Sequence, residues 1–180
     1  MTPILIPTLR GALIKSWPEH EQGGFANYIS LSDMLTQDFK TDVHFAQYSC
    51  PQMTRRLCKE ALKSPHIEVL GGSIVMPIIV FDVDGPGHKA TNDWRAAERV
   101  KVVSLFESRP GGYMYETRHG YRLVYTLPGP MQLGSIEDAD RWTVFYFLNV
   151  AYLRRVFDIK ADALGDWTRL FRAPHATRDE

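Results

Sequence analysis

The sequence predicts an α+β protein, and three observations carry that prediction. Residues 74–83 form one continuous apolar run, rich in branched side chains and bounded by turn residues, as in a buried strand. Two later segments repeat their apolar residues at helical spacing. Between those helices lie two strand-like runs joined by a short polar turn.

The 180 residues suit a single domain, 1–180, with enough chain to bury a core without staples. Residues 1–73 read as a small N-terminal α/β extension and residues 74–178 as the main body. The first 50 residues are weakly patterned. Pro51 opens an expected helix with Met53, Leu57 and Ala61 on one face, ended by Ser64-Pro65. The run 74–83 then reads as a central strand and passes into Asp82-Val83-Asp84-Gly85-Pro86-Gly87, where turn residues stop it.

A helix follows, capped near Thr91 or Asn92, with Ala96, Val100, Val103 and Phe106 as its expected apolar stripe. Arg109-Pro110-Gly111-Gly112 breaks it. Strands are expected over 113–117 and 121–127 around the turn Arg118-His119-Gly120. Ser135-Ile136-Glu137-Asp138 resembles a capping box and starts a long helix with Trp142, Phe145, Asn149, Tyr152 or Leu153, and Val156 facing inward. The alternation over 167–173 predicts a last strand. From residue 74 the order is strand, helix, strand, strand, helix, strand. That is the ferredoxin-like split unit of RNA-recognition modules, so an RRM-like core is expected.

Composition narrows the classes. Lys plus Arg and Asp plus Glu both number 21, and a chain of zero net charge is a poor candidate for coating duplex DNA by charge alone. No stretch reaches the roughly 18 apolar residues of a membrane span, and the N-terminus has no signal-peptide pattern. Cys50 and Cys58 lack metal-ligand spacing and read as buried thiols of a reducing compartment. A soluble, cytoplasmic protein without membrane partners is expected.

Asp82 and Asp84 stand two apart on a strand, so their side chains leave the same face, while Phe81 and Val83 point to the core. Two carboxylates side by side repel unless a cation lies between them, and Mg²⁺ or Mn²⁺ takes such hard oxygen ligands. Ions held this way bridge a triphosphate and activate an attacking hydroxyl. The plainer reading of Asp-x-Asp-Gly is a strand running into a turn.

Three segments decide between them. Ile78-Ile79-Val80-Phe81-Asp82-Val83-Asp84 resembles the hydrophobic strand ending in two acids of the archaeo-eukaryotic primase superfamily, above all the primase-polymerase domains of phages, plasmids and mobile elements. Thr117-Arg118-His119-Gly120-Tyr121-Arg122-Leu123-Val124-Tyr125 is similar to that family's Gly-hydrophobic-His strand. The run from Asp162 through Asp166, Arg169 and Arg172 to Pro174 resembles its third acidic position followed by Arg-Leu-hydrophobic-Arg-x-Pro.

The resemblance implies a DNA primase-polymerase, a nucleotidyltransferase acting in DNA replication with a two-metal Mg²⁺ or Mn²⁺ site. Its metal-binding and catalytic residues would be Asp82, Asp84 and Asp162, with Asp166 the alternative third ligand. Arg122, His119, Arg172 and Arg169 would bind nucleotide, Arg172 being preferred to Arg169 for the site while the other pairs with an acid. The implied partners are a single-stranded DNA template and primer, NTP or dNTP, and a fused or associated helicase, in a bacterial, phage or plasmid setting. One departure matters: Arg122 stands where the family carries a phosphate-contacting His. Arg offers two donors in a fixed fork but shuttles no proton near neutral pH. The alternative is therefore a primase-like fold that binds nucleotide or single strands without synthesis. A replication-initiator nuclease would want a His-hydrophobic-His pair, which the chain lacks. An RNA-recognition module would carry an aromatic signature where Asp82 and Asp84 stand. Tyr113, Tyr115, Tyr121 and Tyr125 read as core or cross-strand pairs before base-stacking platforms.

Overall fold

The computed structural model describes residues 5–10, 27–40, 42–48, 74–167 and 169–176. The helix expected after Pro51, and both cysteines, lie outside them. In chain order the elements are β1 (Leu5–Arg10), β2 (Asn27–Ser30), α1 (Leu31–Thr36), β3 (Val43–Ala46), β4 (Ile74–Asp84), a 3₁₀ turn (Pro86–His88), α2 (Asn92–Ser108), β5 (Gly112–Glu116), β6 (Gly120–Leu133), α3 (Ile136–Phe157) and β7 (Leu170–Arg172). The protein is α+β, with two small antiparallel sheets. Among the described residues no helix is long and apolar enough to cross a membrane.

The chain divides into two compact units: Met1–Pro77 with Gly129–Asp140 and Asp166–Glu180, and Ile78–Pro128 with Arg141–Gly165. The first is built on a four-stranded sheet of order β2-β1-β3-β7. Ser30 caps α1, its hydroxyl accepting from the Asp33 amide at 3.0 Å. Buried Phe45 and Phe171 meet across the β3–β7 pair with ring centroids 5.8 Å apart, and Tyr48 lies edge-on to Trp167 at 5.4 Å.

The second unit is built on a three-stranded sheet of order β4-β6-β5. The predicted strand over 74–83 forms as β4, but at an edge of this sheet rather than at its centre. Pro77 agrees with that place, because proline cannot donate to a ladder and is confined to edges. Both faces of β4 are nonetheless buried, which is what the unbroken apolar run encodes. The hairpin is in the expected register, with Tyr113 opposite Val124 and Tyr115 opposite Arg122.

The Thr91 hydroxyl caps α2 by accepting from the Trp94 amide at 3.2 Å. The buried face of α2 is not the expected stripe. Val100 and Val103 are exposed, and Glu98, Val102 and Leu105 turn inward. Glu98 is tolerated there because Lys101 pairs with it at 3.1 Å, and a charged residue on the inner face hid the true period. Ser135 starts α3 as expected, its Oγ accepting from the Asp138 amide at 3.2 Å. Trp142, Tyr146 and Leu153 are its buried residues, and Val156 faces solvent. The last strand, shorter than the predicted 167–173, pairs with β3 instead of completing the sheet of β4. Nothing local in the sequence chose that partner: the strand is three residues long, and its pairing spans most of the chain.

Candidate functional site

The second unit brings four of the expected residues together, and the reason starts with strand geometry. Phe81 lies 5.5 Å, ring to ring, from Tyr146 of α3, so Asp82 projects from the opposite face of β4. Arg122 reaches it from neighbouring β6. Its Nε donates to Asp82 Oδ1 at 3.2 Å and its Nη2 to Asp82 Oδ2 at 3.0 Å, a two-pronged fork. Both side chains are nearly shut off from water, at 13% exposure for Arg122 and 6% for Asp82. Tyr115, directly opposite Arg122 on β5, accepts a longer contact from Nη1 at 3.4 Å, and its ring lies 5.8 Å from the guanidinium carbon.

This pocket of charge shifts its members. Burial holds the Tyr115 phenol in its neutral form, pushed up to about 12, with the nearby Arg122 charge offsetting only part of the effect. For Arg122, burial disfavours the charge, but Tyr115 and Asp82 together outweigh it and raise its proton affinity further.

Asp84, at the end of β4, is half-buried, and its Oδ2 meets His88 Nδ1 at 2.8 Å. His88 carries a left-handed φ of 57° directly after Gly87, which folds the 3₁₀ turn back onto the strand end. His119 Nδ1 lies 2.7 Å from the His88 carbonyl oxygen, so His119 braces the turn behind Asp84. The close approach of β6 to β4 here needs glycine: a Cβ on Gly120 would sit 1.9 Å from the Val83 carbonyl oxygen. Arg95 of α2 fixes the same hairpin from outside, donating to the carbonyls of Gly120 and Thr117 at 2.8 Å each and of Arg118 at 3.1 Å.

Asp162 is 80 positions beyond Asp82, yet its amide donates to the Asp82 carbonyl at 2.8 Å, and its own carbonyl accepts from the Tyr146 hydroxyl at 3.1 Å. The loop after α3 is thereby pinned against the end of β4. The other expected residues belong to the first unit. Arg172, expected at the nucleotide, instead forks onto Asp42 at 2.6 and 2.7 Å. Asp42 is 2% exposed, and a carboxylate buried that deeply requires such a partner. Arg172 is thus the arginine that pairs with an acid. Arg169 has its guanidinium carbon 5.6 Å from the Phe171 ring. The Asp166 carbonyl accepts from Gln47 Nε2 at 3.2 Å. Tyr115 and Tyr121 are buried, as core aromatics are.

The donor set Asp82, Asp84 and Asp162 suits Mg²⁺ or Mn²⁺ in chemistry, being hard carboxylate oxygen brought to one end of β4. What opposes occupancy is Arg122, which takes both oxygens of Asp82. Among the described residues no group of three or more His, Cys, Asp or Glu stands ready-made to hold a metal ion. His88, Tyr115, Arg95 and Tyr146 went unassigned in the sequence reading. Only Tyr115 had a legible signal, since a tight turn at Arg118-His119 puts it opposite Arg122. Comparison of the chain with protein families, with curated proteins and with solved structures finds no match in any of the three.

Proposed function

We propose that the protein is a metal-dependent nucleotidyltransferase of the primase-polymerase kind, built on an RRM-like core and acting on NTP or dNTP along a single-stranded DNA template. The observation that carries this reading is the hydrogen bond from the Asp162 amide to the Asp82 carbonyl. It joins the first and third of the resembling segments at the strand end where Asp82 and Asp84 project. The strand order β4-β6-β5 also agrees with three of the four strands of a split βαβ unit.

Asp82 and Asp84, with Asp162 as third carboxylate, would hold Mg²⁺ or Mn²⁺, which when bound neutralises the triphosphate and activates the attacking hydroxyl. The chain's own residues do the rest. Arg122 supplies a fork suited to phosphate oxygens. His119 and His88 hold the turn that orients Asp84. Arg95 keeps the hairpin carrying Arg122 in register.

A second reading has its own observation. Because Arg122 already neutralises Asp82, the unit could bind nucleotide or single strands without synthesis. Incubating the protein with single-stranded template, primer, labelled nucleotides and Mn²⁺ or Mg²⁺ separates the two. Extended products support nucleotidyl transfer. Metal-dependent nucleotide binding without products supports the second reading, and neither binding nor product refutes both.

A further inference from the structure

The pairing of Arg122 with Asp82 has the form of an exchange site. Each side chain is nearly buried, and each satisfies the other through two hydrogen bonds. Neither can be abandoned. A buried charge that loses its partner carries the full cost of its lost hydration, which is why removing one member of such a pair is far worse than replacing both. A divalent ion therefore cannot take Asp82 alone, because that would strand the guanidinium. A polyanion cannot take Arg122 alone, because that would strand the carboxylate.

We infer that Arg122 is a latch on the proposed metal site: it holds Asp82 in place of a cation and releases it only when a polyphosphate accepts its guanidinium, so divalent ion and nucleotide enter together. The inference rests on the reading of Asp82 and Asp84 as metal ligands. Charge is balanced throughout the exchange. Asp82 passes from the guanidinium to the ion while Arg122 passes from the carboxylate to a phosphate oxygen. No covalent bond or proton moves.

Tyr115 makes the exchange feasible. Its hydroxyl contact to Nη1 is long, at 3.4 Å, and its ring lies beside the guanidinium. These are supports that survive when Nε and Nη2 let go of Asp82. The Tyr115 phenol is itself buried and opposite Arg122 in the hairpin register, so it stays put while the arginine turns. Asp84 stands outside the fork, half-buried, with His88 at its Oδ2. It can make a first contact with an ion before Asp82 becomes available.

The test is linkage between two ligands, read on the full-length protein by thermal unfolding and by the electron paramagnetic resonance signal of unbound Mn²⁺. The probes are Mn²⁺ alone, inorganic triphosphate alone, and both. For the wild type, either probe alone should shift the melting temperature by less than about 1 °C, and both together by about 4 °C or more. In Arg122→Gln, which retains an uncharged donor, Asp82 is open to the ion. Mn²⁺ alone should then bind at least about tenfold more tightly than to the wild type. It should also restore much of the lost melting temperature. Arg122→Lys, which keeps the charge without the fork, should fall between them and serves if Arg122→Gln does not fold. Equal Mn²⁺ affinity in wild type and variants, or additive rather than synergistic shifts in the wild type, overturns the latch while leaving the metal site standing. Absence of Mn²⁺ binding under every condition in every variant overturns the metal site, and the latch with it.

Discussion

Asp82 and Arg122 hold one another at 3.0 and 3.2 Å with little exposure to water, and this changes what a substitution at either position reports. Asp82→Ala leaves Arg122 buried without its carboxylate and should destabilise the fold by about 3–5 kcal/mol. Asp82→Asn keeps one acceptor for the fork and should cost clearly less. Urea denaturation of the two variants checks the order, and equal losses would mean that the pair contributes nothing as a pair. Tyr115 adds a pH signature. Its phenol is raised from 10.0 to about 12 by burial, so below pH 10 both folded and unfolded chains keep the proton and this stability is fully present. Between pH 10 and 12 the unfolded chain ionises while the folded one cannot, and stability falls by about 1.4 kcal/mol per pH unit for this group. Burial raises the Tyr125 phenol as well, so Tyr115→Phe should flatten the alkaline loss in part rather than abolish it. Denaturant midpoints across that window, for wild type and Tyr115→Phe, measure the difference.

The elements show which kinds of signal a sequence carries. Caps were legible at Thr91 and Ser135 because a hydroxyl three residues before an amide is a local relation. The strand β4 and the β5–β6 hairpin were legible for the same reason, as apolar period and turn residues settle them within a few positions. The inner face of α2 was not, since Glu98 sits on it and depends on Lys101 for its place. Nor was the partner of β7, because Arg172 finds Asp42 at a separation of 130 residues and no periodicity encodes that choice. Gly120 belongs to the legible set in type but not in consequence. Its turn was expected, yet its contact with the Val83 carbonyl depends on how closely β6 meets β4. Gly120→Ala forces a Cβ against backbone that cannot move aside, and should cost about 3 kcal/mol or more. A variant as stable as wild type in chemical denaturation would show that the two strands separate easily.

Across the whole molecule, the candidate site was legible as an acidic pair on a strand and as a third acid far along the chain. The structure adds the backbone contact that brings Asp162 to Asp82. What the sequence could not convey is that Arg122 faces the carboxylate rather than open solvent, because cross-strand pairing between residues 40 apart is fixed only when β4 and β6 align. The proposed chemistry depends on Asp84 as much as on Asp82, and Asp84 is the better residue to remove. It is half-buried and outside the arginine fork, so its loss should leave the fold largely intact. The most direct measurement is the rate of labelled-nucleotide incorporation on a primed single-stranded template with Mn²⁺, compared between wild type and Asp84→Ala, with circular dichroism confirming that both are folded. The account predicts synthesis by the wild type and a loss of at least about a hundredfold in the variant, the order expected when one group serving developing charge is removed. Equal rates in the two folded proteins, or no synthesis by a wild type that still binds nucleotide, would contradict it.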